Sequence, residues 1–266
     1  MQNPLELLPQ KTKEVLIRPL VIRASIARGN PACFADEQAV LICERLGLQN
    51  DWLEPRPTRL EIHQVMARTL WYDEQIRELL KNWPDLVVVN LGAALDTRFY
   101  RVDNGRLRWY DIDLPDVIHL RKSVLPSDER KIQIGLSVFD EAWPARIDYE
   151  EPAQVVFLAD HLFCYHTEAN VVKLLSMIGQ AFPGTVLYGD TVTDFAKRKS
   201  KQPCLFSLNR PTDLEALVPG LKVVLSLPAG VLYPEKQHLF VQWQNKISFF
   251  RNMNQLIKLR FGEAFP

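Results

Sequence analysis

Gly92 closes a short apolar run, Leu86, Val87, Val88 and Val89, and is followed by the small residues Ala93 and Ala94. Asp111 and Asp113 stand about twenty residues past it, the spacing at which an acid reaches a ribose hydroxyl in a nucleotide-binding sheet. A second apolar run, Ala153 to Ala159, leads into Asp160, His161 and Tyr165. Glycine lets a backbone approach a ligand closely, a carboxylate accepts from hydroxyls or cations, and an imidazole takes up a proton near neutral pH. The pattern points to a nucleotide-like ligand with ionisable groups beside it.

These residues need a sheet to position them. The Leu86 to Val89 run is β-branched, too short for a helix and free of polar alternation, as expected of a parallel strand buried on both faces. Gly92 and Ala93 then make a tight turn, and a helical stretch follows. Further strands are expected over Leu107–Ile112, Lys131–Leu136, Ala153–Ala159, Thr185–Tyr188 and Leu221–Leu225, with a last one over Leu239–Val241. Helices are expected from Leu114-Pro115 through Leu120, over Thr167–Phe182, where apolar residues recur at helical spacing, and over Leu214–Leu217. The tail Ile247–Phe261 reads as a final helix. Strands alternating with helices imply an α/β fold with a mostly parallel, doubly wound sheet, whose ligands sit at the carboxyl ends of the strands.

Helices also precede the first strand. Thr12–Ala27 has a broad apolar stripe, Pro19 is expected to kink or split it, and Arg28 to Pro31 break it. Asp36 starts a second helix and Leu60–Trp83 forms a longer one. The organisation expected is an N-terminal helical cap over residues 1–82 and a core over 83–266. The polar, basic run Asp194 to Leu208 opens a candidate lid at 194–218, with a plain surface loop as the alternative.

Composition narrows the class. The chain has 266 residues, 47% hydrophobic and 24% charged, enough for a large core. Lys plus Arg equal Asp plus Glu at 32 each, which gives no basic footprint for nucleic acid. The four cysteines show no metal spacing and read as reduced thiols of a cytoplasmic protein. No signal-peptide pattern and no membrane-length apolar run is evident, and no metal site is expected.

N-L-G-A-A-L-D-T-R-F-Y-R, followed by Y-D-I-D-L-P-D-V, resembles the leucine carboxyl methyltransferase family. Its bacterial branch includes O-methyltransferases of polyketide biosynthesis, of the tetracenomycin type. P-L-V-I-R-A and A-R-T-L-W-Y-D-E-Q-I in the helical prefix are also similar to family segments. The resemblance implies a Rossmann-like class I methyltransferase that uses S-adenosylmethionine. By the match, Arg68 grips the carboxylate of that cofactor; Asn90, Gly92, Ala93, Asp96, Asp111, Asp113 and Asp160 line its site, and Ser137 and Val138 flank the adenine. His161 and Tyr165 fall at the catalytic edge. Two positions depart from the family: Ala94 replaces the second glycine of G-A-G, and His161 replaces the glycine of E-G-x-x-x-Y, in which Asp160 replaces the glutamate.

The residues alone leave plainer readings open. Arg68 could be a surface arginine paired with Asp73 or Glu61, Asp140 a helix N-cap before Trp143, and His161 and His166 hydrogen-bonded without chemistry. Three functions compete. The first is O-methyl transfer to a carboxylate or hydroxyl of a small molecule, with polyketide-like natural products among the candidates. The second is an NAD(P)-linked oxidoreductase, opposed by the missing G-x-G-x-x-G glycines and the long helical prefix. The third is a non-catalytic module of the methyltransferase fold. The oligomeric state is not legible.

Overall fold

The computed structural model describes residue 5 and residues 8–48, 55–150, 154–200 and 204–262. In chain order the helices and strands are α1 (Gln10–Gly29), α2 (Glu37–Arg45), α3 (Arg59–Asn82), β1 (Val87–Leu91), α4 (Arg98–Val102), β2 (Arg108–Asp113), α5 (Pro115–Val124), β3 (Lys131–Gly135), β4 (Val155–Ala159), α6 (Glu168–Ala181), β5 (Val186–Val192), α7 (Asp194–Lys199), α8 (Leu214–Leu217), β6 (Leu221–Pro228), α9 (Leu239–Gln244), α10 (Ser248–Arg251) and β7 (Asn254–Phe261).

Hydrogen bonding joins the strands in the order β3-β2-β1-β4-β5-β7-β6. The first five run parallel, and β7 lies antiparallel between β5 and β6. Every residue of β1 and β4 is buried, as the unbroken apolar runs require. From β1 the chain moves outward to β2 and β3, then returns to the other side of β1 as β4. That reversal opens a crevice at the carboxyl ends of β1 and β4.

Both faces are covered. On one, Phe157, Ile178, Phe182 and Leu187 pack with α6. On the other, α3 lays Trp71, Tyr72 and Ile76 on Val88, Leu158 and Tyr188. Helices α1 and α2 share an apolar cluster with Leu95 and with Val117, Leu120 and Val124 of α5. Thr58 caps α3 by accepting the Glu61 N–H at 3.1 Å, and Asp36 caps α2 by accepting from Ala39.

Three expectations need correction. Pro19 does not split α1, which runs unbroken from Gln10 to Gly29. Proline lacks only one donor, and the apolar side chains around it, Leu16, Ile17, Leu20 and Val21, are buried and hold the helix together. Leu239–Val241 is the start of helix α9, where His238 Nδ1 accepts the Phe240 N–H at 3.1 Å. The tail forms strand β7 instead of a helix. Pairing with β5 and β6 satisfies both of its edges, and Leu256 on one face and Ile257 and Leu259 on the other are fully buried in the apolar clusters that cover the sheet. Ala153, the expected start of the fourth strand, lies outside the described residues.

His63 is buried on α3, and burial pushes its imidazole down from 6.5 to about 4. The unfolded chain therefore binds a proton between pH 6.5 and 4 that the folded chain refuses. Stability tied to His63 is complete above 6.5 and is lost as pH falls toward 4. We expect this to remove on the order of 2–3 kcal/mol, at about 1.4 kcal/mol per pH unit. Urea unfolding from pH 7 to 4 checks it: the His63→Leu variant should show a flatter slope than the native chain. Parallel slopes would refute it.

Candidate active site

The carboxyl ends of the parallel strands carry the polar residues of the site. After β1 the chain turns through Gly92 (φ 64°) and Ala94 (φ 43°), both in the left-handed region. A side chain at Gly92 would place its Cβ 2.7 Å from Leu162 Cδ1, so this position combines a glycine backbone with close packing. Ala94 occupies a similar backbone with a methyl group, at a cost of about 1–2 kcal/mol. Asp113 at the end of β2 holds the turn: its Oδ2 accepts the Ala94 N–H at 2.8 Å, and its Oδ1 accepts the Leu114 N–H at 2.7 Å. Burial raises the pKa of Asp113, and these two donors oppose the rise.

After β4 the geometry repeats. His161 has φ 56°. Asp190, on neighbouring β5, accepts the His161 N–H on Oδ1 at 2.6 Å and faces His161 Nδ1 with Oδ2 at 3.0 Å. Tyr72 of α3 donates its hydroxyl to the same Oδ1 at 3.1 Å. Asp190 is therefore anchored from two sides. Arg68 Nη1 also stands 3.3 Å from Nδ1, and the nearer Asp190 carboxylate is the group that can accept a proton carried on Nδ1, an arrangement that leaves the lone pair on Nε2. The Tyr165 ring stands edge-on to His161 at 5.6 Å, and burial pushes its phenol up.

Between these turns lies an ionic network. Arg98 donates to Asp73 (3.0 Å), Asp96 (2.5 Å) and Asp160 (2.9 Å), and it lies over the Tyr72 ring. Arg101 bridges Asp73 and Asp36, and Arg23 of α1 joins Asp36 at 3.1 Å. Arg68 of α3 donates Nε to Asp160 at 2.5 Å. Burial works against the Asp160 charge, but Arg68 and Arg98 overcome it and hold the carboxyl well below the usual range. Four guanidiniums thus meet four carboxylates, in contacts that tie α1, α2 and α3 to the ends of β1 and β4.

The structure brings together most of the residues expected from sequence. Arg68, Asp96, Asp160 and His161 share the network, with Asn90 donating to Asp96 at 3.2 Å. Arg68 is not on the surface. Asp73 is taken by Arg98 and Arg101, and Glu61 by Arg18. Asp111 is different. It is fully buried and paired with Arg121, and it accepts from Asn90 and Trp109, so it braces the βα corner and offers no oxygen to a ligand. Of the two acids at the end of β2, only Asp113 reaches the crevice. Ala93 is buried, and its carbonyl accepts from Arg121. Ser137 and Val138 follow β3 in a turn in which Ser137 Oγ accepts the Phe139 N–H. Asp140 caps a turn through the Ala142 N–H and not an α-helix. His166 packs edge-on against Phe139, at 4.6 Å, and burial lowers its pKa. Asp190, Tyr72 and Arg98 carried no role in the sequence reading. For Asp190 a signal existed, an acid near the end of a strand in a parallel sheet.

The residues fit S-adenosylmethionine. Its amino-acid end is a zwitterion, and Arg68 with Asp160 presents a guanidinium beside a carboxylate. Arg68 Nη2 has no partner among the described residues, and the Asp160 side chain keeps 21% of its surface exposed. Asp113 retains lone pairs on both oxygens for hydroxyls of a ribose. Among the described residues no group of His, Cys, Asp or Glu is placed to hold a metal, and no helix is long and apolar enough to cross a membrane.

Comparison with known proteins shows the family and the fold. The family described as leucine carboxyl methyltransferase matches residues 18–179. The tetracenomycin polyketide synthesis O-methyltransferase TcmP of Streptomyces glaucescens is 30% identical over 219 residues, 79% of this chain and 80% of that protein. A candidate methyltransferase from Thermobifida fusca superposes with a TM-score of 0.59 at 12% identity, over 94% of this chain and 95% of its own. A DUF574 family protein from Streptomyces avermitilis superposes with a TM-score of 0.57 at 12% identity, over 94% and 99%. At such identities the two structures speak for the fold.

Removing the central guanidinium is expected to be costly. Arg98→Met leaves Asp73, Asp96 and Asp160 facing one another out of water, and should destabilise by about 3–5 kcal/mol in urea unfolding. Arg106→Met, which breaks an exposed pair with Asp85, should leave the midpoint unchanged. Equal midpoints for both variants would contradict the role given to the network.

Proposed function

The chain belongs to the leucine carboxyl methyltransferase family and is an S-adenosylmethionine-dependent methyltransferase of Rossmann-like class I fold; from that premise we propose how its residues divide the work. The reading rests on one observation, the Arg68–Asp160 pair at the crevice between β1 and β4, with Asp113 at the end of β2. Arg68 takes the carboxylate of the cofactor and Asp160 its ammonium. Asp113 takes the ribose hydroxyls, and the Ser137–Val138 turn flanks the adenine. Gly92, packed against Leu162, and the buried Ala93 keep the turn tight beneath the ligand. Bound there, S-adenosylmethionine supplies an electrophilic methyl group whose leaving thioether needs no proton.

The acceptor is a small molecule that receives the methyl on oxygen. The likeness to TcmP, named for tetracenomycin polyketide synthesis, supports a polyketide-like carboxylate or hydroxyl. Residues 1–82 serve as a cap and 194–218 as a lid over the acceptor. The balanced charge and four free cysteines suit work in the cytoplasm. An oxidoreductase is disfavoured, because the family match covers the glycine corner itself.

His161 is the candidate base. Asp190 holds Nδ1–H, so Nε2 accepts the proton of a hydroxyl acceptor while that oxygen takes the methyl group. A carboxylate acceptor is ionised at neutral pH and needs no such help. Tyr165 borders the His161 ring and restricts its orientation.

Calorimetry with two ligands tests the cofactor assignment. Arg68→Lys keeps the charge but loses the planar fork. It should weaken S-adenosylhomocysteine binding at least tenfold while sparing 5′-methylthioadenosine, which lacks the amino-acid end. Asp113→Asn should weaken both. If Arg68→Lys affects the two ligands alike, the assignment of Arg68 is wrong.

The base is tested by acceptor class. His161→Ala should slow transfer to a hydroxyl acceptor by roughly 100- to 10,000-fold and change transfer to a carboxylate only a few-fold. Retained binding of S-adenosylhomocysteine controls for folding. Undiminished transfer to hydroxyls would remove His161 from the chemistry.

A further inference from the structure

Beyond the carboxyl ends of β4 and β5 the structure holds a second feature, a cavity of about 770 Å³ between the start of α3, α7, α9 and α10. Its walls include Leu60, Phe195, Phe240, Phe250 and Met253. Phe195 and Phe250 meet edge-on with ring centroids 6.2 Å apart. Aromatic walls of this kind receive flat apolar ligands, and the volume falls within the roughly 300–1,000 Å³ of small-molecule sites.

The cavity has an inner and an outer end. Met253 marks the inner one. It packs against the buried cluster of Cys164, Val192 and Ala196, against which Tyr165 also packs, and its carbonyl accepts the Thr193 N–H at 3.0 Å. Tyr165 in turn abuts His161. Arg59 and Lys199 mark the outer end, at the first residue of α3 and the last of α7. Arg59 lies nine residues before Arg68 on α3, about 14 Å along the helix axis. Among the described residues the Arg59 guanidinium bonds the His238 ring, and neither cation has a carboxylate partner. Among the described residues no acidic side chain lines the cavity.

We propose that this cavity is the acceptor site, and that it takes an elongated planar aromatic molecule carrying an acidic group at the end away from the oxygen that receives the methyl. The rings lie between Phe195, Phe240, Phe250 and Met253. The reacting oxygen points inward past Tyr165 to His161, and the acid at the far end meets Arg59 and Lys199. The two cations then select for length as well as charge, since a short acid cannot reach them with its other end at His161. The exposed side chains of α9, Leu239 and Trp243 at 78% and 57%, extend the apolar surface beside the opening. This assignment rests on the methyltransferase reading and specifies its acceptor.

Calorimetry with 6-hydroxy-2-naphthoate, 2-naphthol and 8-hydroxyoctanoate tests it on the full chain with S-adenosylhomocysteine present. The naphthoate should bind at least tenfold more tightly than either of the others. Replacing both cations, Arg59→Gln with Lys199→Gln, should erase the advantage over 2-naphthol and leave the 2-naphthol affinity unchanged. Phe240→Ser should weaken both aromatic probes, and S-adenosylhomocysteine should bind every variant as it binds the native chain. Equal affinity for naphthoate and naphthol, or no response to the double replacement, would overturn the proposal. So would an octanoate that binds as well as the naphthoate. A native chain that binds no S-adenosylhomocysteine would instead strike the methyltransferase reading itself, so the two failures are distinguishable.

Discussion

The guanidinium of Arg98 lies out of water among carboxylates from three separate parts of the chain: Asp73 on α3, Asp96 after β1 and Asp160 after β4. A charge in such a place is tolerable only if it is paired and each of its donors is used, and Arg98 commits Nε, Nη1 and Nη2 to different acids. The consequence is positional. Helix α3 cannot slide along the sheet without breaking Asp73 from Arg98 and Arg101, so Arg68, five residues earlier on the same helix, is held at the mouth of the crevice. The charges that order the fold are therefore the ones that place the groups proposed to bind the methyl donor.

A second constraint appears twice. At the ends of β1 and β4 a residue with a side chain occupies the left-handed region, Ala94 in one case and His161 in the other. In each case a carboxylate at the end of the adjacent strand accepts that residue's N–H, Asp113 for Ala94 and Asp190 for His161. Strain of this kind, on the order of 1–3 kcal/mol, persists only where the surroundings over-determine the backbone. Glycine at either position would avoid the strain. In this chain the carboxylates retain the turn without it. At β4 the chain also places an imidazole, and the acid that accepts its backbone N–H faces its Nδ1 as well.

Where the sequence pattern was continuous it was legible. The buried runs at Val87–Leu91 and Val155–Ala159, the glycine corner and the helix over Thr167 to Phe182 all follow from residue type and spacing, and the structure differs from them only at their ends. The strands and helices taken for one another fall in the carboxyl-terminal part of the chain. Leu256, Ile257 and Leu259 fit a helical face as well as a buried strand, and only pairing with β5 and β6 decides between them. Pro19 was misread because a local penalty was weighed without the burial that opposes it.

The sequence alone determined the class of the protein, since strand and helix periods, the small-residue turn and an acid some twenty residues beyond it are local properties that spacing records. It could not separate Asp111 from Asp113, two residues apart on one strand. The pleat sends alternate side chains to opposite faces, yet the end of a strand escapes that rule, so burial beside Arg121 had to be seen. Nor could it join Arg98 to Asp160, sixty-two residues away, or Asp190 to His161. Ion pairs and hydrogen bonds depend on distances of a few ångströms between groups far apart in the chain, and only the packing of α3 and the order of the strands set those distances.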